Sequence, residues 1–144
     1  MKTTLITNGH IIDPANKIDR VGDVYITDGK IAKIDLEGSA RHVEKDETII
    51  DATGLVVAPG LIDLHVHFRE PGQSAKETIA TGSKAAAAGG FTSVLAMPNT
   101  NPPADGPNTI ALMRQRAQET ACINVFVSGC ITVGMKGEDR KSVV

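Results

Sequence analysis

The sequence predicts an α/β fold with parallel strands, preceded by a smaller β-rich region. Three observations carry that reading. Before Ala58-Pro59-Gly60, β-branched runs are punctuated by Asn8-Gly9 and Asp28-Gly29, residue pairs suited to tight hairpins. After it, short apolar runs alternate with helix-forming stretches. Between the two, an apolar run from Leu55 ends in His65-Val66-His67, which puts chemistry at the end of a strand.

Bulk properties exclude several function classes. The chain has 144 residues, 41% hydrophobic and 22% charged, so a folded core is expected rather than disorder. The net charge of −2 comes with no basic stripe, which argues against nucleic-acid binding. No apolar run reaches the ~20 residues needed to span a bilayer. Met1 to Thr7 lacks the apolar core of a signal peptide. Cys122 and Cys130 make no disulfide framework, so a reduced, cytoplasmic protein is expected.

The first region, residues 1–58, reads as strands around tight turns. Leu5-Ile6-Thr7 and Ile11-Ile12 flank Asn8-Gly9; Asp23 to Thr27 and Lys30 to Ile34 flank Asp28-Gly29. Both pairs are expected to close two-residue hairpins, because Asn, Asp and Gly accept positive φ. Glu37 to Thr48 reads as a surface loop, followed by Ile49-Ile50-Asp51, a turn at Thr53-Gly54 and a strand at Leu55-Val56-Val57.

In the second region, residues 59–144, Leu61 to Val66 is a first strand. Ser74-Ala75-Lys76-Glu77 has the form of a capping box, so a helix is expected from about Ala75 to Ala88, stopped by Gly89-Gly90. That glycine pair precedes no helix and so is no phosphate cradle. Phe91 to Met97 is a second strand. Asp105-Gly106-Pro107 opens a second helix with Ile110, Met113 and Ala117 on one face, and Ile123 to Val127 is a third strand. Strand–helix–strand–helix–strand implies parallel pairing, with functional residues at the strands' carboxyl ends. His65, His67 and Asn99 should therefore share one mouth.

Residues i and i+2 of a strand face the same side, so His65 and His67 project together and can share one metal. The plain alternative is a hydrogen-bonded pair of strand histidines. Asp63, two residues earlier, is expected on the same face one layer deeper, or bonded to a ligand His or local backbone. Arg69 suits a carboxylate, but would also serve as a solvated cation or a partner for Glu70. Asn99 lies in Pro98-Asn99-Thr100-Asn101-Pro102-Pro103, which would form a turn in any case. Cys122 and Cys130 read as buried small apolar residues, and Lys136 and Asp139 as a solvated face.

Ala58-Pro59-Gly60-Leu61-Ile62-Asp63, His65-Val66-His67-Phe68-Arg69-Glu70-Pro71-Gly72, Lys76-Glu77-Thr78, Ala85 to Thr92 and Met97-Pro98-Asn99-Thr100 together resemble the N-terminal part of the dihydroorotases. These belong to the cyclic-amidohydrolase branch of the amidohydrolase superfamily. The hairpin-rich start also resembles that superfamily's small β-domain. The resemblance implies a zinc-holding (β/α)₈ barrel that interconverts N-carbamoyl-L-aspartate and dihydroorotate in pyrimidine biosynthesis. On it, His65 and His67 match the first two zinc ligands, and Arg69 and Asn99 match residues that bind the substrate carboxylate.

Such a barrel takes about 250 residues, and the second region holds only three strands. The family's bridging carboxylate, further histidines and acid–base Asp fall beyond Val144, so no catalytic residue is assigned within this chain. The other two histidines, His10 and His42, lie in the first region and match no ligand. An incomplete barrel, a fragment or truncated product with little activity alone, is the expectation. Two other functions compete: a non-catalytic partner of aspartate transcarbamoylase, and an allantoinase- or hydantoinase-like enzyme. The retained His pair favours the enzyme lineage, and Arg69 favours a carboxylate-bearing substrate.

Overall fold

The computed structural model describes residues 3–39 and 47–138. The chain divides into two compact units, Met1–Pro59 and Gly60–Val144.

In the first unit, β1 (Thr3–Asp13), β2 (Ile18–Thr27) and β3 (Lys30–Asp35) form an antiparallel meander. β4 (Thr48–Asp51) and then β5 (Val56–Val57) pair in parallel with β1 on its other edge. Leu5, Ile11 and Val24 are buried; Leu5 and Ile11 sit between exposed or half-buried neighbours, and Val24 follows the buried Asp23.

Asp28-Gly29 closes the β2–β3 hairpin as expected, with φ of 50° and 77°. Thr53-Gly54 also turns as expected: the Leu55 amide donates to the Ala52 carbonyl, and Gly54 has φ of 76°. Asn8-Gly9 does not form a hairpin. It lies inside β1 as a bulge, the register passing from Ile6 opposite Val24 to Gly9 opposite Gly22. The reason is packing: a Cβ on Gly9 would stand 2.4 Å from Val57 Cγ2. The Asn8 φ of 59° is thus used to bend a long strand. The chain reverses instead at Pro14–Asn16, a single 3₁₀ turn. There Asp13 Oδ1 accepts from the amides of Ala15 and Asn16, and Lys17 takes a left-handed φ of 55°.

In the second unit, β6 (Leu61–Val66), β7 (Phe91–Ala96) and β8 (Asn124–Val127) form a parallel sheet in sequence order. The connecting helices are α1 (Ile79–Ala88) and α2 (Pro107–Thr120). Phe68, Ile79, Val94, Ala96, Ala104, Met113 and Ala117 are its buried core, and Val66, Ile110, Val125 and Val127 pack against them. Pro107 starts α2 where its missing N–H costs nothing, and Gly89 and Gly90 end α1, Gly90 with φ of 83°.

The expected start of α1 is four residues early. Gln73 to Lys76 forms a turn, the Lys76 amide donating to the Gln73 carbonyl, so Ser74 caps nothing. The box is made by Thr78, whose Oγ1 accepts from the Thr81 amide at 3.0 Å, and by Thr81, whose Oγ1 accepts from the Thr78 amide at 2.9 Å. Glu70 Oε2 also accepts from the Ile79 amide at 3.0 Å, which fixes the first helical residue. Two candidate boxes follow one another in the sequence, Ser74–Glu77 and Thr78–Thr81, and the Glu70 carboxylate bonds to the helix start that the later one sets.

The sheet of the second unit is incompletely covered. Among the described residues no strand pairs with the outer edges of β6 and β8, and Leu61, Ile62, Leu64 and Phe126 are all more than half exposed. No helix among the described residues is long and apolar enough to cross a membrane.

Candidate metal centre

The strand register decides which side chains meet. Asp63 lies opposite Val94 and Val66 opposite Ala96, so β6 holds one extra residue between these pairs. Val94 and Ala96 are buried, and Val66 packs with them. Paired residues of parallel strands share a face, so Asp63 and Val66 both lie on the helix-covered side. His65 and His67 flank Val66 and project to the other side.

This corrects the expectation that Asp63 shares the imidazole face. The bulge turns Asp63 away, and its Oδ1 accepts from the His65 amide at 2.9 Å, satisfying backbone that the irregular register leaves unpaired. Its local-backbone role is thus the observed one.

The two imidazoles converge as expected. Their Nε2 atoms are 3.1 Å apart, with ring centroids 4.9 Å apart and planes at 66°. Two nitrogens on one tetrahedral zinc, each at about 2.0–2.1 Å, stand about 3.3 Å apart. The pair therefore fits a shared zinc with a shift of a few tenths of an ångström at most. Both rings are exposed on this face. Among the described residues no third His, Cys, Asp or Glu joins them in a metal-binding group.

Asn99 reaches the site from the end of the neighbouring strand. The Met97 amide donates to the Val66 carbonyl at 2.8 Å, extending the β6–β7 ladder beyond Ala96. Asn99 then stands level with His67, and its Oδ1 lies 2.8 Å from His67 Nδ1. The two loops are fastened further along. The Asn101 amide donates to the Pro71 carbonyl at 3.1 Å, and Gly72, with φ of 92°, lies so close that a Cβ would stand 1.9 Å from the Asn101 carbonyl oxygen.

Arg69 is half-buried in the first of these loops, and among the described residues its guanidinium has no hydrogen-bond or ion-pair partner. Pairing with Glu70 is not what holds it. Glu70 is committed to the Ile79 amide and lies 3.7 Å from Arg116 Nε on α2. Sequence reasoning assigned Glu70 no such anchoring role. Its nine-residue separation from the helix start offered no local signal.

The remaining candidates separate from the site. His10 Nε2 lies 2.6 Å from Asp19 Oδ1 within the first unit, and His42 lies outside the described residues. Cys130 is buried, its Sγ donating to the Pro98 carbonyl, and burial raises the pKa of its thiol above the ordinary value, with Asp105 adding to the shift. A thiol held protonated is a poor ligand. Cys122 is exposed, contrary to expectation: it follows the end of α2 and precedes β8, where its amide donates to Ser83 Oγ. Lys136 is exposed as expected; Asp139 lies outside the described residues.

Comparison with known proteins gives the family. A family profile described as dihydro-orotase-like matches residues 54–143. The chain belongs to that family. A dihydroorotase of Solibacter usitatus is 48% identical over 139 residues, which are 96% of this chain and 31% of that protein. A dihydroorotase of Aquifex aeolicus is 42% identical over 96% of this chain and 32% of its own length. Among solved structures, L-hydantoinase (dihydropyrimidinase) of Arthrobacter aurescens superposes with a TM-score of 0.77 at 26% identity, over 92% of this chain and 28% of that one. This dihydro-orotase-like chain thus spans about a third of the length of the relatives it matches. The α/β architecture, with a parallel sheet as the start of an incomplete barrel, agrees with that coverage.

Proposed function

We propose that this chain carries the first part of a zinc-dependent dihydroorotase-type site. The reaction is the reversible conversion of N-carbamoyl-L-aspartate to dihydroorotate, in cytoplasmic pyrimidine biosynthesis. The observation that supports it most is the 3.1 Å approach of the two Nε2 atoms at the end of β6; Arg69 follows on the next loop, its guanidinium without a partner among the described residues.

His65 and His67 would hold the zinc through Nε2. When bound, zinc supplies Lewis-acid activation of water and polarisation of a ring carbonyl. Arg69 presents five donors in a planar fork, matched to a carboxylate's two oxygens. Asn99 adds a neutral amide donor at the same rim. No acid–base residue is assigned here, and among the described residues no third protein ligand joins the two imidazoles. The 144 residues are therefore expected to turn over little substrate by themselves. The intact His pair argues against a scaffold that only accompanies aspartate transcarbamoylase, since such a role requires no ligand histidines.

A second reading has one observation in its favour: similar solved structures are hydantoinases, at 26% and 31% identity. Hydantoin-type rings lack the carboxylate that Arg69 would hold. Binding to the zinc-loaded chain, followed by NMR shift perturbation, separates the two. N-Carbamoyl-L-aspartate should perturb signals around His67 and Arg69, dihydrouracil should not, and Arg69→Met should abolish the response. Equal binding of dihydrouracil, or a response unchanged by Arg69→Met, would overturn the dihydroorotase reading. Turnover near that of a full-length relative would overturn the expected inactivity.

A further inference from the structure

We propose that Asn99 is a positioning residue for His67, fixing the imidazole tautomer that a metal ligand needs. The inference rests on the zinc-site reading above and adds a role within it. His67 Nδ1 lies 2.8 Å from Asn99 Oδ1. A carbonyl oxygen can only accept, so this contact requires the proton on Nδ1. Nε2 then carries a lone pair, and Nε2 is the atom that faces His65 at 3.1 Å. Free neutral imidazoles favour the opposite tautomer, with the proton on Nε2. Asn99 therefore removes a proton from the ligand atom without adding a charge.

The alternative is that Asn99 only builds its turn. The loop's own bonds argue against it. Thr100 Oγ1 donates to the Pro102 carbonyl at 2.7 Å, the Ala104 amide donates to the Pro98 carbonyl at 2.9 Å, and the Asn101 amide donates to Pro71. None of these uses the Asn99 side chain. Its Nδ2 has no partner among the described residues, so the same amide holds a ligand with one end and keeps two donors for substrate with the other.

Three variants of the whole chain test this with two readouts, the His67 tautomer from ¹⁵N NMR and zinc affinity from competition with a chromophoric chelator. In the parent, His67 should be protonated at Nδ1. Asn99→Ala should move the proton toward Nε2 and weaken zinc binding about ten- to a hundredfold. Asn99→Asp should keep both, because a carboxylate oxygen accepts the same N–H, while losing affinity for N-carbamoyl-L-aspartate by charge repulsion. Asn99→Gln, one methylene longer, should restore neither. The proposal falls if Asn99→Ala leaves tautomer and zinc affinity unchanged. It also falls if Asn99→Asp loses as much as Asn99→Ala, since a carboxylate oxygen offers His67 Nδ1 the same acceptor. Should Asn99→Ala not fold, the Asn99→Asp comparison decides. A parent chain that takes up no zinc would refute the zinc-site reading, and the tautomer measurement would still decide the role of Asn99.

Discussion

Gly82 and Arg69 illustrate two opposite kinds of residue near the site. Gly82 lies on α1 against the buried Phe68 ring, where a Cβ would stand 2.3 Å from Phe68 Cε1. Phe68 follows His67 directly, so the ring that fills this space also anchors the ligand strand to the helix. Gly82→Ala should destabilise the chain by about 1–3 kcal/mol through overpacking, read as a lower Tm in thermal denaturation. Arg69 has no hydrogen-bond or ion-pair partner among the described residues, so Arg69→Met should leave stability within about 0.5 kcal/mol while removing carboxylate binding. At this scale the site was partly legible. His65 and His67 could be paired from the i, i+2 rule alone. The placement of Asp63 could not, because a single extra residue in β6 inverts its face, and bulges leave no mark in an apolar run.

Among the elements, α1 and the β2–β3 hairpin each make a separable prediction. The first helix is capped by Thr78, not by Ser74. Thr78→Ala should cost about 1 kcal/mol of stability, whereas Ser74→Ala should change it by less than about 0.5 kcal/mol; chemical denaturation of both variants checks the contrast. Helix ends were the least legible part of the sequence, since the successive boxes Ser74–Glu77 and Thr78–Thr81 are told apart only by Glu70 arriving from a distant loop.

On β3, Asp35 Oδ2 accepts from Lys33 Nζ at 2.7 Å and Oδ1 accepts from the Glu37 amide at 3.0 Å. The Lys33 ammonium, with further bonds from Ser39 and Glu37, holds the Asp35 carboxyl well below the usual carboxylate range. A depressed folded-state pKa stabilises at pH above the unfolded value near 3.9 and loses that contribution as pH falls through the folded one. Acid titration of stability should therefore show a loss that begins below about pH 4. Asp35→Asn should flatten that loss and lower stability at neutral pH. An unchanged acid slope would contradict this account.

Over the whole molecule, the parallel sheet of the second unit has two edges without partners among the described residues, and Leu61, Ile62, Leu64 and Phe126 are exposed on it. Open apolar edges template association. The chain should self-associate with rising concentration, seen by sedimentation velocity, and Leu64→Lys should shift it toward monomer. The order of elements was legible from apolar runs and glycine punctuation, and so was parallel pairing. The closed barrel to which such a sheet belongs was not. Three strands have no period that specifies eight, and that expectation came from motif resemblance alone. The proposed site requires the His65 and His67 Nε2 atoms to grip one zinc together. X-ray absorption at the zinc edge, on the zinc-loaded chain, addresses it most directly. Two imidazole nitrogens at about 2.0–2.1 Å are expected, and their loss in the His65→Ala, His67→Ala double variant. A spectrum without imidazole scattering, or one unchanged by the double substitution, would contradict it.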